Sequence, residues 1–157
     1  MIFTRAGWMR GVFHIPELHG FLDYLMRGGE FLKLTDVTLP YLQKRLGFFG
    51  IRREEALMII PDCAEDMLKL PRAVGRSRNL LVHFLLTNGY IKGSVTLDAG
   101  VRISDFLLKG HPWVVLRTSV LGPNPKATLV PGAGARYPLV LLNTAAILGA
   151  SEESLSD

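Results

Sequence analysis

The chain has 157 residues, of which 18 are Lys or Arg and 14 are Asp or Glu, so its formal net charge is +4 at pH 7. At about 100 to 200 residues per domain this length excludes a large multidomain enzyme, and a composition that is 48% hydrophobic and 20% charged excludes an intrinsically disordered chain. The mean hydropathy of +0.25 is high for a small domain, and it favours an oligomer or a bound partner.

The N-terminal residues contain no continuous apolar stretch, and the most apolar window, residues 137–150, is shorter than the ~20 residues of a membrane-spanning helix. We therefore expect neither a signal peptide nor a membrane span. Cys63 is the single cysteine and cannot form an intramolecular disulfide. The chain is therefore expected either to belong in a reducing compartment or to be indifferent to redox state, and the cytoplasm is the expected location.

The chain resembles itself at a constant offset of 82 residues. Identical residues coincide without a gap in the pairs Gly7 and Gly89, Gly11 and Gly93, Asp23 and Asp105, Leu25 and Leu107, Gly28 and Gly110, Leu34 and Leu116, and Leu57 and Leu139. Residues 58–60, Met-Ile-Ile, are similar but not identical to residues 140–142, Val-Leu-Leu. Such self-similarity is typical of repeated supersecondary units. We therefore predict two tandem copies of one unit, residues 1–79 and 80–157, the first ending in an arginine-containing linker.

Each copy begins with a predicted β-hairpin, whose turn lies at residues 6–7 or at residues 88–89. The second strand of the hairpin alternates between a core face and an outer face. Its core face holds Met9, Gly11, Phe13 and Ile15 in the first copy and Ile91, Gly93, Val95 and Leu97 in the second. A glycine at the same inward position in both copies indicates a bulge, a sharp bend or a close backbone approach.

A short helix is predicted after each hairpin, because apolar residues recur at helical spacing from Phe21 and from Ile103, and glycine follows the last turn. Two more strands complete each copy, at residues 31–39 and 56–61 and at residues 113–120 and 138–143. The predicted fold class is α+β, with two tandem, pseudo-symmetric, strongly bent and barrel-like β-sheet units, each with a short helix.

The copies differ between their third and fourth strands. Residues 40–50 predict one or two amphipathic helical turns followed by the aromatic pair Phe48 and Phe49, whereas residues 122–136 predict a loop rich in Pro and Gly. Phe48 and Phe49 are either core residues or an exposed hot spot for a partner. Because insertions specific to one repeat tend to carry function, both are candidate partner-binding residues.

The sequence offers no motif for catalysis or for a metal. The four histidines, His14, His19, His83 and His111, show no metal-ligand spacing. Asp23 and Asp105 recur, but an aspartate early in a helix suits the helix N-terminus without any substrate. We therefore expect no enzyme and no cofactor; an enzyme would require an enclosed pocket around Asp105 or a histidine.

An aromatic residue lies near a cation on the outer strand face of each copy, Trp8 with Arg10 and Tyr90 with Lys92. Such pairs serve base stacking and phosphate contact in nucleic-acid-binding proteins, and they also occur as cross-strand packing on a solvated sheet. All four are candidate partner-binding residues. With the linker arginines Arg72, Arg76 and Arg78, they support an alternative function as a nucleic-acid-binding module.

The stretch 90–97 followed by 100–107 resembles an uncharacterised family of small bacterial domains, which carry a Gly-containing strand and then an Arg-Leu-Ser-Asp-Phe-Leu-like motif. The first copy departs from this motif at Gly20, Phe21 and Leu22. The resemblance implies a domain type and brings no activity or cofactor; a second similarity, to Sm-like or SH3-like small barrels, rests on fold pattern alone. We predict a non-enzymatic protein-binding adaptor or assembly subunit that binds a protein partner or itself.

Overall fold

The computed structural model describes residues 1–16, 19–27, 29–39, 41–70, 75–87, 89–123 and 134–153. Gly28, Asn88, Arg72 and residues 124–133 of the Pro/Gly-rich loop, which enter the predictions above, lie outside these ranges. The chain divides into two compact units, unit 1 at Met1–Pro71 and unit 2 at Arg72–Asp157.

Unit 1 is built mainly from antiparallel strands. Its elements are β1 (Ile2–Thr4), β2 (Gly7–Phe13), α1 (Phe21–Arg27), β3 (Phe31–Thr38), β4 (Leu46–Arg52) and β5 (Met58–Ile59), with single 3-10 turns at Arg53–Glu55 and Glu65–Leu68. The strand order within the unit is β5-β1-β2-β3-β4. The predicted hairpin and short helix are confirmed, and α1 buries Phe21 and Leu25 as its apolar spacing predicts.

Unit 2 repeats this order of elements. They are β6 (Ser77–Leu86), β7 (Gly89–Asp98), α2 (Ile103–Leu108), β8 (Trp113–Pro123), β9 (Arg136–Asn143) and β10 (Ile147–Glu152), with a 3-10 turn at Thr144–Ala146. The strand order within the unit is β10-β6-β7-β8-β9. Gly110, which follows α2, has a φ of 74°, the left-handed conformation expected of a glycine that ends a helix.

The two units keep the predicted offset of 82 residues only as far as β3 and β8. Phe31 pairs with Arg52 on β4, and its counterpart Trp113 pairs with Asn143 on β9. The equivalent strands β4 and β9 are therefore 91 residues apart. The same larger offset relates the 3-10 turns at 53–55 and 144–146.

The gap-free matches beyond β3 are therefore wrong. Residues 138–143 belong to β9, whose counterpart is β4 rather than residues 56–61. Leu57 and Leu139 coincide at the offset of 82 because both are buried residues in apolar runs, and apolar runs match one another at many offsets. Of residues 56–61, only Met58–Ile59 form the strand β5.

The predicted α+β class and the predicted barrel-like units are also wrong, because the chain is mainly β. Of the described residues, 53% lie in strands and 17% in helices. Within each unit the first and last strands of the order, β5 and β4 in unit 1 and β10 and β9 in unit 2, do not pair with each other among the described residues, so each unit is an open sheet and not a closed barrel. Part of the reason is that residues 46–50, expected to be the end of a short helix and the aromatic pair after it, belong to the strand β4.

In unit 1 a glycine opposes a β-bulge. The register of β2 against β3 shifts between Arg10 and Val12, so that Gly11 faces two residues of β3. One of them, Asp36, has a φ of 53°, in the left-handed region. A Cβ atom at Gly11 would lie 3.0 Å from Val37 Cγ2.

Unit 2 has the same arrangement at the equivalent positions. The register of β7 against β8 shifts between Lys92 and Ser94, and Thr118, the counterpart of Asp36, has a φ of 50°. A Cβ atom at Gly93 would lie 2.7 Å from Ser119 Oγ. The predicted bulge and close approach at the repeated glycine are confirmed in both units.

We expect Gly93→Ala to destabilise the fold by about 1 to 3 kcal/mol, because the new methyl group would overlap Ser119 Oγ and lie 3.2 Å from Leu116 Cδ2. Urea unfolding followed by circular dichroism measures the change. Gly149→Ala, in β10, is the matched control, since its Cβ atom would have no neighbour closer than Leu85 Cβ at 3.9 Å. Equal stability of the two variants would contradict the close approach at Gly93.

We expect Ser119→Val to stabilise the fold by about 1 kcal/mol. The Ser119 hydroxyl is completely buried and has no hydrogen-bond partner among the described residues, and leaving such a group unpaired is costly. Unit 1 already carries Val37 at the equivalent position, also completely buried. The same urea titration checks this, and a less stable Ser119→Val chain would show that the hydroxyl has a stabilising role.

Candidate protein-binding surface

The outer face of unit 1, as we use the term, is the side of β2, β3 and β4 that points away from the buried residues Met9, Leu34 and Ile51. Strand alternation and the cross-strand register place the same set of side chains on it. These are Trp8, Arg10, Val12, Phe31, Lys33, Thr35, Phe48 and Arg52.

Phe48 is the most exposed aromatic residue of this face, with 63% of its surface accessible. It lies opposite Thr35 on β3, which in turn lies opposite Val12 on β2, itself 50% exposed. Phe49 points to the other side of β4, opposite the buried Leu34, and is half-buried. The two candidate residues therefore differ: one is exposed and the other borders the core.

Phe31, which is not among the predicted site residues, lies on the same face and is 48% exposed. Its neighbours Leu32 and Leu34 are buried, so alternation alone would have placed Phe31 outward. The Arg52 guanidinium lies 5.7 Å from the centre of the Phe31 ring. Arg52 also lies within 3.7 Å of a carboxylate oxygen of Glu30 and within 3.5 Å of one of Glu54.

β4 has an open backbone edge. The Arg53 N–H donates to the Glu30 carbonyl oxygen at 2.9 Å, which fixes the phase of the hydrogen bonds between β3 and β4. Because bonded and non-bonded pairs alternate along an antiparallel ladder, the backbone groups of Phe48, Gly50 and Arg52 point away from β3. Within the described ranges, β4 pairs with no strand other than β3.

The counterpart of β4 in unit 2 has a different environment. In β9 the five consecutive residues 139–143 are all buried, whereas in β4 only Ile51 is. The other end strand, β10, carries two features that protect an edge: a register irregularity between Ile147 and Gly149, and a carboxylate, Glu152, that accepts a hydrogen bond from the Ile103 N–H at 2.5 Å. The pairing of β4 with β3 has no such irregularity.

Trp8 and Arg10 lie on the outer face of unit 1, but both already have partners there. The Trp8 ring centre is 5.0 Å from that of Phe3. Arg10 forms a salt bridge with Asp62 at 3.0 Å. The cation is therefore compensated by an acid of its own unit.

Tyr90 and Lys92 belong to unit 2, and they are engaged in the same way. Tyr90 is 45% exposed and its ring lies across Gly122, where a Cβ atom would be only 2.1 Å from the ring. Lys92 forms a salt bridge with Glu153 at 2.6 Å. Lys92 follows Arg10 by 82 residues and Glu153 follows Asp62 by 91, so the two salt bridges occupy equivalent places.

Two linker arginines lie within the described ranges. Arg76 is exposed, and Arg78 donates from Nη2 to the Val101 carbonyl oxygen at 3.0 Å. Asp23, considered above as a helix residue, bonds His19 at 2.9 Å and Arg27 at 2.6 Å within its own segment. Its carboxylate therefore has a structural role in unit 1.

The described residues contain neither a metal-ligand cluster nor a membrane-spanning helix. No three His, Cys, Asp or Glu side chains come close enough together there to hold a metal ion. That part of the chain also lacks a helix with the length and apolar character needed to cross a membrane. Comparison of the sequence and the structure with known families, curated proteins and solved structures finds no match.

Glu153, the residue after β10, contacts side chains of β6 and β7 through its carboxylate. Two hydrogen bonds to this carboxylate, from Lys92 at 2.6 Å and from His83 at 3.5 Å, hold the pKa of Glu153 below its usual value. A carboxyl whose pKa is lower in the folded chain stabilises the fold above its unfolded pKa and loses that effect as the pH falls through the folded pKa. The contribution is therefore present at neutral pH and disappears in acid.

We expect Glu153→Gln to lower the melting temperature at pH 7 and to leave it unchanged in strong acid, where the wild-type carboxyl is protonated as well. Melting temperatures measured across the acidic range check this. Lys92→Gln is the control, and because Lys92 and Glu153 act as one pair, the double variant should lose less than the two single variants together. A constant difference at all pH values would contradict the role of the carboxylate charge.

Proposed function

We propose that this protein is a non-enzymatic, protein-binding assembly subunit, which associates with further copies of itself through the outer face of unit 1 and the edge of β4. The observation that carries the proposal is Phe48, 63% exposed on a strand whose outer backbone groups have no partner in the described structure. An apolar strand with an open edge is a template for pairing with another chain.

The apolar character of the surface supports association with protein. Phe48, Phe31 and Val12 are each about half exposed or more, on one face of three neighbouring strands. Covering such side chains gains about 25 cal/mol for each Å² of apolar surface removed from water. Aromatic residues dominate the energetics of protein interfaces.

The charges of this face support a partner without strong net charge. Arg10 is paired with Asp62, Arg52 lies near two glutamates, and Arg45 lies 3.6 Å from Asp36. Lys33 is the remaining cation of the outer face, so a second copy brings charges that are compensated at the other positions. The salt bridges of Arg10 and Lys92 speak against the nucleic-acid alternative, because phosphate contact would have to compete with these carboxylates.

We place this activity in the cytoplasm. The single cysteine, Cys63, is exposed and is a free thiol. A reducing compartment would keep such a thiol from linking copies at random. This supports a non-covalent assembly.

We expect Phe48→Asp to weaken self-association at least about a hundredfold, because two copies of the side chain, at roughly 1.5 kcal/mol each, are lost from a symmetric interface. Sedimentation velocity over a concentration series measures the effect. The melting temperature should change little, since the side chain is mostly exposed.

Leu108→Asp is the matched control, because Leu108 is 85% exposed but lies on α2 of unit 2. It should associate as the wild type does. A wild-type chain that stays monomeric at every concentration, or a Phe48→Asp chain that associates as tightly as the control, would refute the proposed function.

A further inference from the structure

We infer that β4 pairs antiparallel with β4 of a second copy, with Phe49 of both copies at the two-fold axis. This inference rests on the proposed function and specifies its geometry. It follows from three properties of β4: the phase of its free backbone groups, the positions of its glycines and phenylalanines, and the absence of edge protection in its pairing with β3.

The phase of the backbone groups restricts the possible registers. Only Phe48, Gly50 and Arg52, and Leu46 by continued alternation, direct their N–H and C=O groups outward. In an antiparallel pair of two such edges, these residues must face one another. The two-fold axis can then lie at Phe48, at Phe49 or at Gly50.

The register with its axis at Phe49 uses the strand most completely. All seven residues of β4 then find a counterpart, whereas an axis at Phe48 or at Gly50 leaves only five paired. Arg52 faces Leu46 of the second copy, so no two like charges stand opposite. An axis at Gly50 would place Arg53 opposite Gly47 and leave Leu46 beyond the strand end.

This register also places Phe48 of each copy opposite Gly50 of the other. Gly50 has no side chain, so the ring can lie across its backbone and contact Phe31, whose Cδ1 lies 3.7 Å from the position of a Cβ atom at Gly50. The molecule already contains such a pair, because Tyr90 lies across Gly122 on the neighbouring strand. On the opposite side of the strand, the two half-buried Phe49 rings come together.

The β4 edge is better suited to pair with β4 of a second copy than with β10. β10 carries an irregularity and the hydrogen-bonded carboxylate of Glu152, both of which discourage strand addition. β4 has neither, and its counterpart β9 is buried over residues 139–143.

Disulfide trapping tests the register on the full chain. In a Cys63→Ser background, which removes the natural thiol, Phe49→Cys places the two new cysteines at the axis, within the Cα distance of 4.4–6.8 Å that a disulfide needs. Gly47→Cys is the matched control on the same side of β4. In this register its two copies stand four residues apart along the strands, about 13 Å, too far for a disulfide.

We expect mild oxidation to cross-link most of the Phe49→Cys chain as a dimer, and at least about tenfold less of the Gly47→Cys chain. The reverse order would overturn the register. Because Phe49→Cys also removes an aromatic ring, amide hydrogen exchange of the wild-type chain provides a second measurement. The Phe48 and Gly50 amides should become protected on concentration, while the Ile51 amide is protected in the monomer.

The two proposals fail in distinguishable ways. If the chain associates and Phe48→Asp prevents it, but the Phe48 and Gly50 amides exchange equally fast in dilute and concentrated samples, the pairing of β4 is refuted and the outer-face association stands. If the wild-type chain does not associate, both proposals are refuted.

Discussion

The close approach of a glycine to a bulge shapes both units. At Gly11 and at Gly93 the strand passes its neighbour so closely that a side chain would not fit without displacement. The bulge opposite each glycine contains a residue in the left-handed conformation, Asp36 or Thr118. For the β-branched Thr118 this conformation costs of the order of 1 to 3 kcal/mol. The pairing of β8 with both of its neighbours stabilises it, and the residue after each bulge, Val37 or Ser119, turns into the core.

This constraint explains why the first part of the repeat could be predicted from the sequence. Glycine is required at a fixed position in the second strand of each hairpin, so its identity, its spacing and the surrounding alternation all survive in both units. The tight turns, the core face of β2 and β7, and the short helices follow from the same local rules. Each of these features depends on residues only a few positions apart.

Two of the features that the sequence analysis missed depend on distant residues. The salt bridges of Arg10 and Lys92 join residues 52 and 61 positions apart, and no local pattern connects them. The change of offset from 82 to 91 residues after β3 cannot be recognised in the sequence for a similar reason. Buried strands are all apolar, so residues 58–60 match residues 140–142 by composition although they occupy different strands. Only the pairing of Phe31 and of Trp113 reveals which strands are equivalent.

β4 shows how an edge strand escapes sequence-based prediction. Two glycines lower its strand propensity, and Phe48 and Phe49 break the alternation of apolar and polar residues, so the segment reads as a helix end followed by aromatic residues. The composition of its counterpart β9, which is rich in Leu and Val, predicts a buried strand. A strand that is weak on its own gains most from a further partner, because each added hydrogen bond and each covered ring stabilises a backbone that, within the described ranges, pairs with β3 alone. The feature that makes β4 hard to recognise in the sequence is therefore the one that suits it to intermolecular pairing.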